Sequence, residues 1–203
     1  MRRRADLVRR FTRAERWVHR TTAALMGVCL ATAACLYVAP LAELVGNRPL
    51  VVTAHVWCGL ALPVPLLTGL AFRAVRADLS RLSRFAPADW RWLRAVRTRA
   101  ADRPAGKFNA GQKLYAQWTL GSMLVIVGTG LLMWLTHLAP PSWRTGATFV
   151  HDWLAAAIGI VVAGHVRMAW RDPEARLGMR TGLVERRWAE REHPQWQATD
   201  AER

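Results

Sequence analysis

The sequence predicts an all-α protein, an integral membrane bundle of four helices with both termini in the cytoplasm. Three observations point there. Four apolar runs occupy residues 21–39, 50–72, 114–135 and 148–169. The charged residues are gathered between those runs rather than along them. Histidines recur at matched depths within the runs.

Each run is long enough as a helix, at about 1.5 Å per residue, to cross or nearly cross a hydrocarbon layer of roughly 30 Å. Hydrophobic residues make up 52% of the 203 and charged residues 21%. A soluble helical core would show a polar face at helical period, and these runs have almost none.

The net charge of +15 is arranged as a topology signal. Eight arginines precede the first run, at 2, 3, 4, 9, 10, 13, 16 and 20. Eleven basic residues lie from Arg73 to Lys113, and eight arginines from Arg167 to Arg203. The other two connections hold only Arg48 and Arg144. By the positive-inside rule both termini, the 73–113 loop and the 170–203 tail are cytoplasmic, and residues 1–203 form one membrane domain. Membrane lipid is the expected partner of this charge. No stacking-rich motif accompanies it, so nucleic acid is not.

In chain order, residues 1–20 are basic, with Phe11 and Trp17 as interface anchors. Arg9-Arg10-Phe11 resembles part of a twin-arginine export signal. The apolar run behind it is long for a signal core and lacks a small-x-small cleavage site, so it reads as the first span. That span ends near Pro40, and a short loop, 41–49, turns the chain back. Pro63 and Pro65 are expected to kink the second span. Pro87 and Asp89, ahead of a run of tryptophans and arginines, predict a short interfacial helix. Asn109 and Gln112 sit three apart just before the third span and share a face if the stretch is helical. Glycines at 111, 121, 128 and 130 allow close approach of a neighbouring helix or a cofactor. Cys29, Cys35 and Cys58 lack metal-type spacing and read as packing residues. His137 reads as a surface residue, and His193 in the tail as a solvated or interface residue.

The remaining histidines fall into pairs. His151 and His165 share the fourth span; their separation brings them to within about 40° of one another around the helix and roughly 21 Å apart along it. His19 opens the first span on the inner side, level with His165. His55 lies near the outer start of the second span, level with His151. Ionisable side chains inside a membrane span mark functional sites. Two histidines per level fit the two axial positions of a haem iron, whereas structural zinc wants four ligands. Without a Cys-x-x-Cys-His the haem is non-covalent, b-type. The expected ligands are thus His19 and His165 for an inner haem b, and His55 and His151 for an outer one.

At this point the sequence resembles a known family over nearly its whole length: the gamma (cytochrome b) subunit of formate dehydrogenase, within the bacterial di-haem cytochromes b. The resemblance is carried by Glu15-Arg16-Trp17-Val18-His19, by Ala54-His55 with Gly59, and by Gly106-Lys107-Phe108-Asn109-Ala110-Gly111-Gln112-Lys113. His151 and His165 at their spacing add to it, as does the tail from Gly178-Met179 through Arg186-Arg187-Trp188-Ala189 to His193-Pro194-Gln195-Trp196. It implies a multi-pass protein of the bacterial cytoplasmic (inner) membrane with two bis-histidine haems b. It also implies a quinone site, for menaquinone or ubiquinone, bordered by Asn109, Gly111, Gln112 and His165. The implied partners are an iron–sulfur beta subunit and a molybdenum or tungsten catalytic alpha subunit, in a complex that can assemble further. The chain itself holds no molybdenum or iron–sulfur motif, so the formate-oxidising site is expected on another subunit. The function expected is electron transfer from the iron–sulfur partner through two haems to quinone at the cytoplasmic side. The alternatives are the cytochrome b subunit of a hydrogenase or of another molybdenum oxidoreductase, and a haem-free structural anchor.

Overall fold

A computed structural model describes residues 6–98, 103–137 and 139–196. In chain order the elements are β1 (Leu7–Arg9), α1 (Arg13–Tyr37), α2 (Ala39–Val45), α3 (Arg48–Ala61), α4 (Val64–Gly69), α5 (Arg73–Ser83) and α6 (Pro87–Thr98). There follow α7 (Ala110–Trp134), α8 (Pro141–Arg171), α9 (Pro173–Thr181), β2 (Leu183–Glu185) and α10 (Arg186–Glu192). Four helical stretches are long and apolar enough to cross a membrane: Arg13–Tyr37, Arg48–Gly69, Ala110–Trp134 and Pro141–Arg171. The most apolar windows of these helices are only 6% to 17% buried within the protein. Side chains such as Leu124, Ile160 and Trp153 face outward, as expected where lipid rather than protein is the neighbour.

The boundaries differ from the sequence expectation in instructive ways. The first and third helices begin several residues before their apolar runs, because polar caps rather than hydropathy start them. The fourth begins at Pro141, a residue type suited to a first helical turn. The 41–49 connection contains most of α2, closed by Gly46 at φ 63°. The second span is interrupted where Pro63 and Pro65 were expected to kink it. Neither proline can donate to the helix ladder; α3 stops at Ala61 and α4 resumes at Val64. The expected short helix is α6, with Pro87 in its first turn and Asp89 accepting from the Ala86 N–H at 2.7 Å. An additional helix, α5, fills the 73–83 stretch.

The chain forms two compact units. One comprises 18–68 and 119–165 and contains parts of all four spans. Its core is a layer of Met26, Leu62, Met123 and Ile158, with Leu25, Leu30, Leu66, Ile126, Val127, Leu154 and Val162 around it. Ile158 is midway in sequence between His151 and His165.

The other unit comprises the described residues of 1–17, 69–118 and 166–203. Here β1 pairs antiparallel with β2, Val8 opposite Val184. Gly182, in the left-handed region at φ 89°, ends α9 and accepts from the Arg10 and Phe11 N–H groups. A Cβ there would come 2.5 Å from the Phe11 carbonyl, so only glycine serves. Val8, Val184, Trp188, Ala189 and Trp196 make the core of this unit.

That arrangement corrects the reading of His193 as a solvated or interface residue. Its ring is only 3% exposed. Nδ1 donates to the Gly106 carbonyl at 2.7 Å, which leaves Nε2 to accept from Arg10 Nη2 at 2.9 Å. Arg10 also donates to the Lys107 carbonyl and lies under the Trp188 ring at 4.8 Å. Phe11 is half-buried against Phe108, so it is a packing residue of this unit rather than a lipid anchor. Burial and the adjacent guanidinium push the His193 pKa down to about 3, and burial lowers that of Arg10 to about 10.

The depressed histidine pKa fixes a pH dependence. The folded tail binds fewer protons than the unfolded one between pH 6.5 and about 3, so its stability is complete above pH 6.5 and declines on acidification. At pH 5 the loss should be ~2 kcal/mol. Amide exchange across 183–196, corrected for intrinsic rates, should show weaker protection at pH 5 than at pH 7.5, and His193→Gln should remove the difference.

Candidate functional site

The four histidines placed by depth all lie in the 18–68/119–165 unit, and the structure brings them together in the expected pairs. The His19 and His165 rings, on α1 and α8, have centroids 6.3 Å apart. The His55 and His151 rings, on α3 and α8, have centroids 6.2 Å apart. Rings at that separation are too far apart to stack and hydrogen-bond nothing of each other directly. The separation suits a metal between them. Two imidazoles ligating one ion from opposite sides, each nitrogen ~2.0 Å from the metal and ~1.2 Å from its ring centre, have centroids about 6.4 Å apart. Among the described residues no three His, Cys, Asp or Glu side chains gather as a metal site; each level presents a pair of histidines.

Two residues of this site were missed from sequence. Thr32 Oγ1 lies 2.8 Å from His55 Nδ1, and Thr129 Oγ1 lies 3.0 Å from His151 Nδ1. The available signal was a hydroxyl at the depth of each outer histidine on the preceding span. Of the glycines expected to admit a neighbour, Gly130 does so for His151: a Cβ would stand 3.3 Å from Cε1. Near the same end Tyr37 donates to Asp152 at 2.6 Å, tying α1 to α8. Cys29, Cys35 and Cys58 are free thiols.

Asn109, Gly111 and Gln112 stand together at the start of α7, in the other unit from His165. Asn109 does not share a helical face with Gln112; it is the N-cap. Its Oδ1 accepts from the Gln112 N–H at 2.9 Å, and Gln112 Oε1 accepts from the Asn109 N–H at 3.0 Å. This reciprocal capping box satisfies two otherwise orphaned backbone donors. It also commits both amide oxygens, so the two NH₂ groups remain as donors, with no acceptor among the described residues. Gly111 is packed under the Trp92 ring, 3.2 Å from where a Cβ would be.

Buried ion pairs flank the box on both sides. Lys113 Nζ meets Asp89 at 2.7 Å. Lys107 Nζ meets Glu15 at 2.6 Å and Asp78 at 2.6 Å, all three side chains being at most 10% exposed. Burial and the adjacent Glu15 push the Asp78 carboxyl up to about 7.

A membrane bundle whose spans carry histidine rings paired at metal-bridging distance on two levels is a haem-carrying membrane protein in class. The chain belongs to the prokaryotic cytochrome b561 family, whose model matches residues 10–181. Membership implies haem b and a multi-pass location in the inner membrane. Among curated proteins it is 35% identical over 99 residues to the cytochrome b556(Fdn) subunit of the nitrate-inducible formate dehydrogenase of Escherichia coli, covering 45% of this chain and 43% of that one. It is 32% identical over 96 residues to the formate dehydrogenase cytochrome b556 subunit of Haemophilus influenzae, covering 45% and 40%. To the cytochrome b556(fdo) subunit of E. coli it is 27% identical over 95 residues. The matches span under half the length of these relatives.

Removing the central lysine should expose the cost of the buried carboxylates. Lys107→Met leaves Glu15 and Asp78 facing each other and should destabilise the protein by about 3–5 kcal/mol. Because the raised Asp78 takes up a proton more readily folded than unfolded, lowering the pH from 8 to 5 should recover part of that loss. Thermal unfolding in detergent across this range is the measurement.

Proposed function

We propose that the chain is the di-haem cytochrome b anchor subunit of a formate dehydrogenase-like complex, passing electrons from an iron–sulfur partner through two haems b to quinone at the cytoplasmic side. The observation that carries the reading is the pairing of histidine rings at 6.3 and 6.2 Å on two levels. His19 and His165 would hold the inner haem, and His55 and His151 the outer one. Haem b, when bound by two imidazoles, supplies one-electron transfer at an iron with no open position. Met26, Leu62, Met123 and Ile158 pack as an apolar layer in the same unit.

At the cytoplasmic end the amides of Asn109 and Gln112 would donate to a quinone carbonyl. Their oxygens are already engaged, so they present donors only, which suits an oxygen that gains negative charge on reduction. Cytoplasmic water would supply the protons. The electron donor follows from the names of the relatives, which are formate dehydrogenase subunits. A second reading, the cytochrome b subunit of a hydrogenase or another molybdenum oxidoreductase, fits the same family match, whose description names no electron donor. Co-purified subunits and a formate-to-quinone assay separate the two.

Two b haems per chain are expected by pyridine haemochrome assay. His55→Ala and His151→Ala should remove the same haem, and His19→Ala and His165→Ala the other; loss of one common haem in His55→Ala and His19→Ala would refute the pairing. A separate outcome concerns the quinone. Gln112→Glu keeps a side chain suited to the capping box and should leave stability within about 0.5 kcal/mol, yet replaces an NH₂ donor with a carboxylate. Quinone reduction by the assembled complex should fall at least tenfold while both haems remain.

A further inference from the structure

The two threonines beside the outer histidines occupy equivalent places. Thr32, on α1, serves His55 on α3; Thr129, on α7, serves His151 on α8. The hydroxyl of Thr32 also reaches the Val28 carbonyl at 2.7 Å and the Cys29 carbonyl at 3.0 Å. That of Thr129 reaches the Val125 carbonyl at 2.8 Å and the Ile126 carbonyl at 3.1 Å. Such back-bonding is the ordinary resting place of a threonine hydroxyl in a membrane helix. What it does here is use up the hydroxyl's single proton.

The ring nitrogens settle the rest. Each hydroxyl, its proton given to a carbonyl of its own helix, can only accept from the histidine. A deprotonated Nδ1 would face that hydroxyl oxygen lone pair against lone pair. A protonated Nδ1 donates to it. The second nitrogen, Nε2, then carries the free lone pair, and a ligating histidine is oriented through the partner on its other nitrogen.

We infer that Thr32 and Thr129 are positioning residues of the outer haem site, each holding its histidine as the Nδ1–H tautomer so that Nε2 is the ligating atom. The inference rests on the proposed His55/His151 ligation. Gly130, next to Thr129 and against His151 Cε1, leaves the room that this ring position needs. Donation from Nδ1–H makes Nε2 a stronger electron donor, which favours ferric over ferrous iron and holds the potential of that haem down. The inner pair supplies the internal control.

The test uses the full chain purified in detergent. Thr32→Val and Thr129→Val keep the shape and remove the hydroxyl; Thr32→Ser and Thr129→Ser keep the hydroxyl and remove the methyl. Redox titration of the visible bands should show one of the two midpoints raised in each valine variant and restored in each serine variant. Low-temperature electron paramagnetic resonance should show altered g values for that haem alone. The haem affected should be the one that His55→Ala removes. Unchanged midpoints and g values in both valine variants would overturn the inference, as would serine variants as altered as the valine ones, or an effect on the haem that His19→Ala removes. If instead the parent chain holds fewer than two haems, or His55→Ala and His151→Ala remove different ones, it is the di-haem reading that fails.

Discussion

An imidazole placed in hydrocarbon has two nitrogens to satisfy, and no water with which to satisfy them. That constraint organises the membrane-spanning unit. His55 and His151 each set one nitrogen against a threonine hydroxyl on the neighbouring span. Among the described residues the other nitrogen of each has no hydrogen-bond partner, and in the proposed reading an iron between the two rings, 6.2 Å apart, would take it. The helices also pack an apolar layer of Met26, Leu62, Met123 and Ile158. The fourth span carries both functions, because its two histidines stand seven residues either side of Ile158, about 10 Å in each direction.

A different economy governs the unit built from 1–17, 69–118 and 166–203. Its buried charges are paired: Lys107 with Glu15 and Asp78, Lys113 with Asp89. Arg10 has the His193 nitrogen, the Lys107 carbonyl and the Trp188 ring. Buried pairs of this kind add little net stability, since desolvation offsets attraction, but a broken one is expensive. Their effect is to specify one arrangement. They hold together residues 106–113 and the tail ending at Trp196, which are far apart in sequence but packed on each other. The Gly106 carbonyl takes a proton from His193, and the Ala105 carbonyl takes the Gln195 N–H.

Much of this was legible in the chain. Spans, kink and short helix each rest on local signals: apolar length, Pro63 with Pro65, and Pro87 with Asp89. The histidine pairs were legible because positive charge orders the spans and orientation then sorts the histidines by depth. The tail was not. Its fold depends on Arg10 meeting His193, 183 residues away, and nothing local in a basic, tryptophan-bearing segment distinguishes a docked tail from a solvated one. The β1–β2 ribbon, three residues a side, is likewise too short to announce itself. Thr32 and Thr129 escaped for a further reason. A threonine in an apolar span is satisfied by its own helix, so its second hydrogen bond leaves no trace in the pattern.

In the proposed reading, Asn109 and Gln112 combine a structural role with a chemical one. A helix start lacks acceptors for its first N–H groups, whereas a quinone carbonyl lacks donors. A carboxamide has both, on opposite arms of one planar group. When the cap takes the oxygens, as it does here at 2.9 and 3.0 Å, the direction of each NH₂ is fixed as a consequence. Serine or aspartate would cap α7 as well as asparagine does, but neither could leave an NH₂ behind. The residue type at these two positions is therefore underdetermined by the fold, and the proposed quinone site would account for the choice of amides.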